Sequence, residues 1–261
     1  MSVLQIVDFE KIISIIREAA GLFRDNEAAG TITVKGRADF VTEVDMAVQK
    51  TICGRLSALY PEIQFMGEEK DNRDIDFGRP VWILDPVDGT TNLIHHFPEN
   101  CISLALSDQH QVVAGIIYNP WHDELFFATK GGGAFLNGKP IHVHSCSTFS
   151  DCLISVGTTP YSREYADSVF RQIRNVFLRA ADIRRTGSAA LDLAYVACGR
   201  LDAYFEQFLK PWDFSAGMLI LEEAGGKVTD YEGNPVSPEH PQDILATNSL
   251  IHAEMKETLS I

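Results

Sequence analysis

The stretch that most constrains the fold is residues 82–92, whose sequence is WILDPVDGTTN. Its apolar beginning predicts a strand, and the strand ends in a turn that carries Asp85 and Asp88. Pro86 fixes the backbone between these two carboxylates, and Gly89 leaves backbone N–H groups accessible to an anion. Carboxylate and carbonyl oxygens are the ligands that Mg²⁺ takes. The stretch therefore predicts a turn that holds metal on one side and phosphate on the other.

Three further acidic residues occupy positions where predicted strands or helices end or begin. Glu68 follows a short strand, whereas Asp45 and Asp213 lie in the first turns of helices. Any one of them is more often a cap or a surface charge, and Thr42 with Asp45 resembles a capping box. Ligands nevertheless bind at strand ends and helix starts in layered α/β folds. Carboxylates brought together there would repel one another unless a cation lay between them.

The predicted elements change character near residues 144–151. Before this point, helices over residues 8–27 and 42–59 precede an antiparallel meander, and after it strands alternate with helices. The meander has predicted strands near residues 101–107, 111–119, 124–129, 133–136 and 140–143. We therefore expect two parts. Residues 1–147 form an N-terminal α+β part with an antiparallel sheet, two long helices and most of the metal ligands. Residues 148–261 form a C-terminal mixed α/β part that contributes Asp213 and substrate contacts.

The charge of the chain narrows the classes of partner. Of its 261 residues, 36 are acidic and 22 basic, which gives a formal net charge of −14. Such a surface repels nucleic acid and anionic membranes. Residues Lys35, Gly36 and Arg37 predict a basic turn, so a local basic patch stays open.

The cysteines and the N-terminus indicate the cellular compartment. The five cysteines are an odd number without a C-x-x-C pair or a zinc-binding spacing, which favours free thiols in a reducing cytoplasm. The sequence also shows no secretory leader pattern and no apolar run near the ~18 residues of a membrane span. We expect a cytoplasmic protein.

Two apparent motifs are better explained without a phosphate-binding or metal-binding role. Residues 133–139 satisfy most of a P-loop pattern, but Pro140 stands where that motif needs Ser or Thr, and no helix follows. His142 and His144 would lie on one face of a strand, and without a third ligand nearby they are better interpreted as polar strand residues. A covalent hydrolase is disfavoured because no G-x-S-x-G occurs.

Three segments together resemble the signatures of the inositol monophosphatase family, and of bacterial inositol-1-monophosphatases in particular. They are GEE at 67–69, WILDPVDGTTN at 82–92 and WDFSAG at 212–217. Their order and spacing agree with the family, and the resemblance covers essentially the whole chain. It implies a layered α-β-α-β-α sandwich of the sugar-phosphatase type.

The resemblance also implies a set of metal ligands. Glu68, Asp85 and the Val87 carbonyl would hold a first Mg²⁺. Asp85, Asp88 and Asp213 would hold a second. Glu68 would orient a third, weakly held ion through water, so that the site takes two or three ions.

The resemblance also implies catalytic and binding roles for further residues of this chain. Thr90 and Asp45 would polarise the attacking water, with Glu68 also catalytic, and the backbone of Gly89 and Thr90 would bind phosphate. The positions that match inositol contacts are Gly187, Ala189 and Glu206. The loops at 70–80 and 157–165, and the residues beside Trp212, leave the substrate preference open.

The expected function is that of a Mg²⁺-dependent phosphomonoester hydrolase that acts on myo-inositol monophosphate. The attack would be direct and in line, by a metal-activated water and without a phosphoenzyme. Lithium sensitivity and a homodimer are further implications of the resemblance. Sister substrates remain as alternatives: fructose-1,6-bisphosphate, NADP or a nucleotide 3′-phosphate. Two rivals of other classes are a non-catalytic regulatory protein that binds RNA or the transcription machinery, and a purely structural role for the metal.

Overall fold

The computed structural model describes residues 2–24, 26–36 and 39–260, so that Arg37 of the expected basic turn lies outside the described residues. The helices are α1 (Phe9–Ala19), α2 (Asn26–Gly30), α3 (Glu43–Leu59), α4 (Thr90–Ile94), α5 (Ala166–Phe177), α6 (Ala189–Ala197), α7 (Pro211–Glu223) and α8 (His252–Leu259). The strands are β1 (Ile32–Gly36), β2 (Asp39–Thr42), β3 (Gln64–Gly67), β4 (Val81–Asp88), β5 (Cys101–Asp108), β6 (Gln111–Asn119), β7 (Glu124–Thr129), β8 (Gly133–Leu136), β9 (Lys139–Pro140), β10 (Leu153–Val156), β11 (Asp182–Arg184), β12 (Ala203–Leu209), β13 (Lys227–Thr229) and β14 (Gln242–Thr247).

These elements stack in five layers, which confirms the expected α-β-α-β-α sandwich. Helices α1 and α3 share one core with the first face of a seven-stranded sheet. Helices α6 and α7 fill the layer between that sheet and a five-stranded sheet. Helices α5 and α8 cover the outer face of the five-stranded sheet. Apolar side chains are thus removed from water on both faces of each sheet.

The seven-stranded sheet has the order β3-β4-β5-β6-β7-β8-β9, so neighbours in the sheet are neighbours in the chain. Antiparallel pairing from β4 to β9 confirms the predicted meander, while β3 pairs with β4 in parallel. The five-stranded sheet has the order β11-β10-β12-β14-β13 and is mixed, as expected. The chain passes from one sheet to the other through residues 141–152. The division of the chain into two parts at residue 147 stays a prediction.

Two predicted elements need correction. The strand near 140–143 ends at Pro140, because the Val143 N–H donates to the Ala224 carbonyl of the C-terminal part at 3.1 Å. His142 and His144 are therefore not strand residues. The helix expected over residues 8–27 ends at Ala19, two residues before Gly21, and continues as a 3₁₀ turn that precedes α2. Glycine disfavours a helix interior because it loses more backbone freedom than other residues.

A close approach in the middle of the molecule joins the two halves of the chain. Helix α7 comes from the C-terminal half but packs on the seven-stranded sheet. A Cβ added to Gly115 in β6 would lie 2.6 Å from the backbone oxygen of Ala216 in α7. Only glycine fits there without displacement of the helix. The contact fixes the distance between α7 and the sheet, and with it the position of the helix's first turn.

No helix of the described residues combines the length and the apolar character that a crossing of the lipid bilayer requires.

His252 at the start of α8 makes the stability of the protein depend on pH. Its ring nitrogens lie 3.0 Å from the Thr229 hydroxyl and 2.9 Å from the Thr247 hydroxyl. Burial, with smaller contributions from Lys227 and Lys256, lowers the pKa of His252 from 6.5 to about 4. The unfolded chain therefore binds an extra proton between these two pH values. The stabilisation is complete above pH 6.5 and is lost as the pH falls towards 4.

We expect acidification from pH 7.5 to pH 4.5 to lower the free energy of unfolding by about 2 kcal/mol through this residue alone. Urea unfolding of the wild type and of His252→Gln at both pH values measures the difference, because Gln keeps hydrogen-bonding groups but does not titrate. An equal pH effect in the two proteins would contradict the assignment.

Candidate metal and phosphate site

The strand β4 ends in an irregularity of pairing that lies between its two carboxylates, Asp85 and Asp88. Pairing with β5 is regular as far as Asp85 and resumes at Asp88, with a shift of register between them. The Val87 N–H is released from the ladder and donates to Asp85 Oδ1 at 2.9 Å. Both carboxylates are nearly buried, with 3% and 8% of their residue surfaces exposed. A bulge of this kind redirects side chains at the end of a strand. The turn predicted to carry Asp85 and Asp88 is instead a bulge within β4, and the chain turns only at Gly89.

The C-terminal half of the chain holds Asp88 in place. Its Oδ2 accepts hydrogen bonds from the Ser188 hydroxyl at 2.6 Å and from the Ala190 N–H at 2.7 Å, both at the start of α6. Burial raises the pKa of Asp88 from 3.8 to about 6, although these two donors lower it in part. The carboxylate is therefore oriented by fixed donors yet remains costly to ionise.

Glu68 and Asp213 approach the same place from two other elements. The Glu68 N–H donates to the Leu84 carbonyl at 3.2 Å, which sets the turn after β3 beside β4. Gln49 of α3 holds this turn through both the N–H and the carbonyl of Glu69. Asp213, in the first turn of α7, accepts from the Lys210 N–H at 2.7 Å through Oδ2.

The electrostatics show that these carboxylates act on one another. Burial raises the pKa of Asp85 well above its usual range, and the negative charges of Glu68, Asp88 and Asp213 raise it further. Burial likewise raises the pKa of Asp213 well above its usual range, and the negative charges of Asp88 and Glu68 raise it further. A low-dielectric site with several like charges favours a cation.

The carboxylate oxygens of the acidic site are spaced apart. Within the described part of the chain, no three of these carboxylates bring oxygens within 4.8 Å of one another. The group that meets this distance contains His144, Cys146 and Asp202 and lies elsewhere. The acidic site thus collects several carboxylates without close contact among any three of them.

Asp45 and Thr90 form a pair beside the metal turn. Thr90 Oγ1 lies 3.0 Å from Asp45 Oδ1 and 3.0 Å from the Val87 carbonyl. Asp45 is also the N3 residue of a capping box with Thr42, so the cap interpretation is correct in itself. Burial raises the pKa of Asp45. A cap alone would not require a fully buried carboxylate with one oxygen directed at Thr90.

Gly89 occupies a position that only glycine fits. Its φ of +94° is left-handed, and a Cβ there would lie 2.9 Å from the Glu99 carbonyl. This conformation turns the chain from β4 into the short helix α4, so the Gly89 and Thr90 amides follow directly on the carboxylates. The order of groups is the one that the sequence predicts.

The three residues predicted to contact the substrate lie around the same site. Gly187 has a φ of +92° and leaves no room for a side chain between Arg185 and Asn92. Ala189 begins α6, next to the amide that holds Asp88. Glu206 of β12 accepts from the Tyr204 hydroxyl at 2.7 Å and from the Thr159 N–H at 2.9 Å. Its negative charge raises the pKa of Asp88, which places its carboxylate near the acidic cluster.

Two groups near the site, Ser188 and Tyr161, were not predicted from the sequence. The supporting role of Ser188 could have been suspected, because a serine before an apolar helix is a typical cap. Tyr161 carries no such signal. Burial and then the negative charges of Asp213 and Glu68 raise the pKa of Tyr161, although most of its side chain is exposed to solvent. Tyr161 belongs to the loop at 157–165, which the sequence left open as a determinant of substrate preference.

Comparisons with known proteins agree with this geometry. The model of the inositol monophosphatase family matches residues 4–260. An inositol-1-monophosphatase of Rhizobium meliloti is 40% identical over 228 residues, which cover 87% of this chain and 85% of that protein. The Nus factor SuhB of Xylella fastidiosa is 39% identical over 225 residues, which cover 84% and 81% of the two chains.

Solved structures agree equally well. The extragenic suppressor protein suhB of Bartonella henselae has a TM-score of 0.88 at 36% identity and covers 96% of this chain and 98% of its own. The inositol monophosphate-bound structure of SaIMPase-II has a TM-score of 0.80 at 29% identity, with 94% and 90% covered.

The fold and these relatives thus define a layered sandwich enzyme of the sugar-phosphatase type. The chain belongs to the inositol monophosphatase family, whose members are phosphatases.

Proposed function

We propose that this chain is a Mg²⁺-dependent phosphomonoester hydrolase whose substrate is myo-inositol monophosphate. The observation that supports the proposal most is the set of carboxylates around Asp85. They come from the turn after β3, from β4 and from α7, and their charges raise the pKa of Asp85 together. A stable fold has no use for such repulsion, so the arrangement indicates a cation site.

The donor set fits magnesium. All of the donors are oxygens, which hard cations prefer, and metal dependence is general in this family. One oxygen each of Asp85, Asp88 and Asp213 is fixed by backbone or hydroxyl donors, which orients the second oxygen. Glu68, Asp85 and the Val87 carbonyl would hold one ion, and Asp85, Asp88 and Asp213 another. A third would be held by Glu68 through water. Bound there, Mg²⁺ would supply Lewis-acid stabilisation of the phosphate charge.

Other residues of the chain would orient the attacking water and bind the phosphate. The Thr90 hydroxyl, which donates to ionised Asp45, presents its lone pairs to a water and orients it towards the phosphorus atom. The Gly89 and Thr90 amides would bind phosphate oxygens and stabilise charge in the transition state. Glu68 would help to activate the water. Direct attack in this arrangement needs no covalent phosphoenzyme.

The choice of inositol rests on the residues that face the site from the C-terminal half and on relatives. Glu206 offers a carboxylate to substrate hydroxyls, and Gly187 and Ala189 lie at the start of α6, beside the amide that holds Asp88. Relatives that share about 40% of their residues with this chain are named inositol-1-monophosphatases. A panel of phosphate-release assays tests the choice with myo-inositol 1-phosphate, fructose-1,6-bisphosphate, NADP and a nucleotide 3′-phosphate. We expect the highest kcat/KM for inositol phosphate, and preference for another compound would reassign the substrate.

Replacement of Glu206 by Gln tests its role directly. We expect KM for inositol phosphate to rise about tenfold, because a hydrogen bond to a charged group is worth about 1.5 kcal/mol or more. The synthetic substrate p-nitrophenyl phosphate lacks polyol hydroxyls, so its KM is expected to stay unchanged. An equal rise of KM for both substrates would show that Glu206 acts through the fold. The matched control is Glu62→Gln, at an exposed position, which should leave both KM values unchanged.

Lithium ions are expected to inhibit the enzyme. A small monovalent cation would compete for the position between Asp85, Asp88 and Asp213, and it cannot neutralise the phosphate charge as Mg²⁺ does. Millimolar LiCl is compared with the same concentration of KCl in a phosphate-release assay. Identical rates in the two salts would contradict the expectation.

A regulatory role is the second candidate, since several relatives at 39–40% identity are named Nus factor SuhB. The net charge of −14 disfavours direct binding of RNA by a general electrostatic surface. A gel-shift assay with RNA measures this, and tight salt-sensitive binding would favour the regulatory role. We further propose a cytoplasmic homodimer. Light scattering of the purified protein measures its mass in solution and thereby tests the dimer.

A further inference from the structure

A second group of metal-ligating side chains lies outside the acidic site, where the connection between the two sheets meets the C-terminal sheet. His144 and Cys146 belong to residues 141–148, which form no helix or strand, and Asp202 directly precedes β12. The ligand atoms of these three residues all lie within 4.8 Å of one another. Cys146 is close to His144 in the chain, but Asp202 is distant and joins them only in the fold.

The Asp202 carboxylate and the backbone of Cys146 are held by the same neighbour, Asn248, and the Cys146 thiol donates to the Thr148 carbonyl at 3.5 Å. Asp202 Oδ2 accepts from the Leu153 N–H at 2.9 Å, and Oδ1 lies 2.9 Å from His144 Nδ1. The Asn248 side-chain amide donates to Asp202 Oδ1 at 3.2 Å and to the Cys146 carbonyl at 2.8 Å. Hydrogen bonds that orient ligands in this way are typical of metal sites.

A second sulfur, which is a fourth candidate ligand, lies next to the group. Cys152 Sγ is 3.3 Å from Cys146 Sγ and is fully buried, whereas His144 is exposed and Cys146 half-buried. Cys152 is not within 4.8 Å of all three ligands, but it is the nearest donor for a fourth position. The exposed imidazole leaves a path by which an ion can enter.

We infer that His144, Cys146 and Asp202, with Cys152 or a water as the fourth ligand, form a site for a thiophilic divalent cation such as Zn²⁺. Thiolate and imidazole select zinc over magnesium, so the site is distinct in chemistry from the all-oxygen acidic site. A cysteine thiolate and an aspartate would neutralise the charge of the ion, with loss of the thiol proton to solvent.

Only a small movement of the ligands is needed. Tetrahedral ligands at about 2.0–2.3 Å from zinc lie about 3.3–3.8 Å from one another. The His144–Asp202 hydrogen bond would open by about half an ångström to admit the ion. The bound ion would tie the connection after β9 to the start of β12, and we expect it to raise the thermal midpoint of unfolding.

Cobalt serves as the spectroscopic probe, because a Co²⁺–thiolate bond absorbs in the near ultraviolet and tetrahedral Co²⁺ in the visible. The reduced full-length protein is titrated with Co²⁺ in excess Mg²⁺, and Zn²⁺ is then added to displace the cobalt. We expect one Co²⁺ per chain with a thiolate band, and a loss of affinity of at least tenfold in Cys146→Ser and in His144→Ala. The half-buried Cys53 in α3 provides the matched control, Cys53→Ser, which should bind as the wild type does.

Phosphate release should be the same in all four proteins, which shows that the variants are folded and that the two sites are separate. An absent thiolate band, or an unchanged band in Cys146→Ser, would overturn the inference. So would a reduced protein that binds no cobalt but loses two thiols to air oxidation through a Cys146–Cys152 disulfide. None of these outcomes depends on the identity of the phosphate substrate.

Discussion

Replacement of Asp88 by Asn is expected to lower kcat for phosphate release by about 10³-fold, since a metal-held charge contributes several kcal/mol to the transition state and each 1.36 kcal/mol is tenfold. Asn keeps the shape of the side chain and an oxygen that can accept from Ser188 and Ala190. It removes the negative charge that a cation would need. The assay is phosphate release in saturating Mg²⁺, with the exposed Asp74→Asn as the matched control.

The same substitution is expected to stabilise the protein when metal is removed. Burial raises the pKa of Asp88 from 3.8 to about 6, so ionisation costs the folded state free energy. This cost is absent below pH 3.8, grows as the pH rises, and is complete above about pH 6. In chelator at pH 7, Asp88→Asn should therefore gain about 1–3 kcal/mol in urea unfolding. A variant that loses both activity and stability would have failed through its fold, and near-normal activity would remove Asp88 from the site.

Replacement of Gly115 by Ala is expected to cost about 2–3 kcal/mol of stability, although it adds one methyl group to a distant strand. The new Cβ would lie 2.6 Å from the Ala216 backbone oxygen and 3.1 Å from its Cα, and backbone cannot turn aside as a side chain can. Helix α7 must move away from the sheet. Because Asp213 stands three residues before Ala216, the concentration of Mg²⁺ for half-maximal activity should rise as well.

Gly54→Ala in α3 is the control for this substitution. A Cβ at Gly54 meets nothing within 4 Å, so the change should stabilise the helix by about 0.5–1 kcal/mol. Urea unfolding gives the stability, and a Mg²⁺ titration of phosphate release gives the second effect. If Gly115→Ala were as stable as the wild type, the contact between α7 and β6 would not set the position of Asp213.

The local features of the site were predictable from the sequence because they depend on neighbours in the chain. The strand and turn at 82–92 follow from an apolar run, a proline and a glycine, and the cap at Thr42 follows from the residue three positions on. The same reasoning predicted the meander, since each of its turns lies between adjacent strands. Family signatures then supplied the roles that these residues are proposed to have.

The features that were missed arise from contacts between distant residues. The strand expected near 140–143 is lost because the Val143 N–H finds a partner more than eighty residues away at Ala224. Asp202 lies beside His144 only because the fold brings together two residues that are 58 positions apart in the chain. A local pattern of apolar and polar residues does not predict contacts between residues that are distant in the chain.

The central claim is that carboxylates from both halves of the chain form one cation site for phosphate release. The most direct measurement is the rate of phosphate release from myo-inositol 1-phosphate as Mg²⁺ is added to chelator-treated protein, for the wild type and for Asp213→Asn. We predict no activity in chelator, saturable recovery in the wild type, and little recovery in the variant. Full activity of the wild type in chelator, or the same Mg²⁺ dependence in both proteins, would contradict the claim.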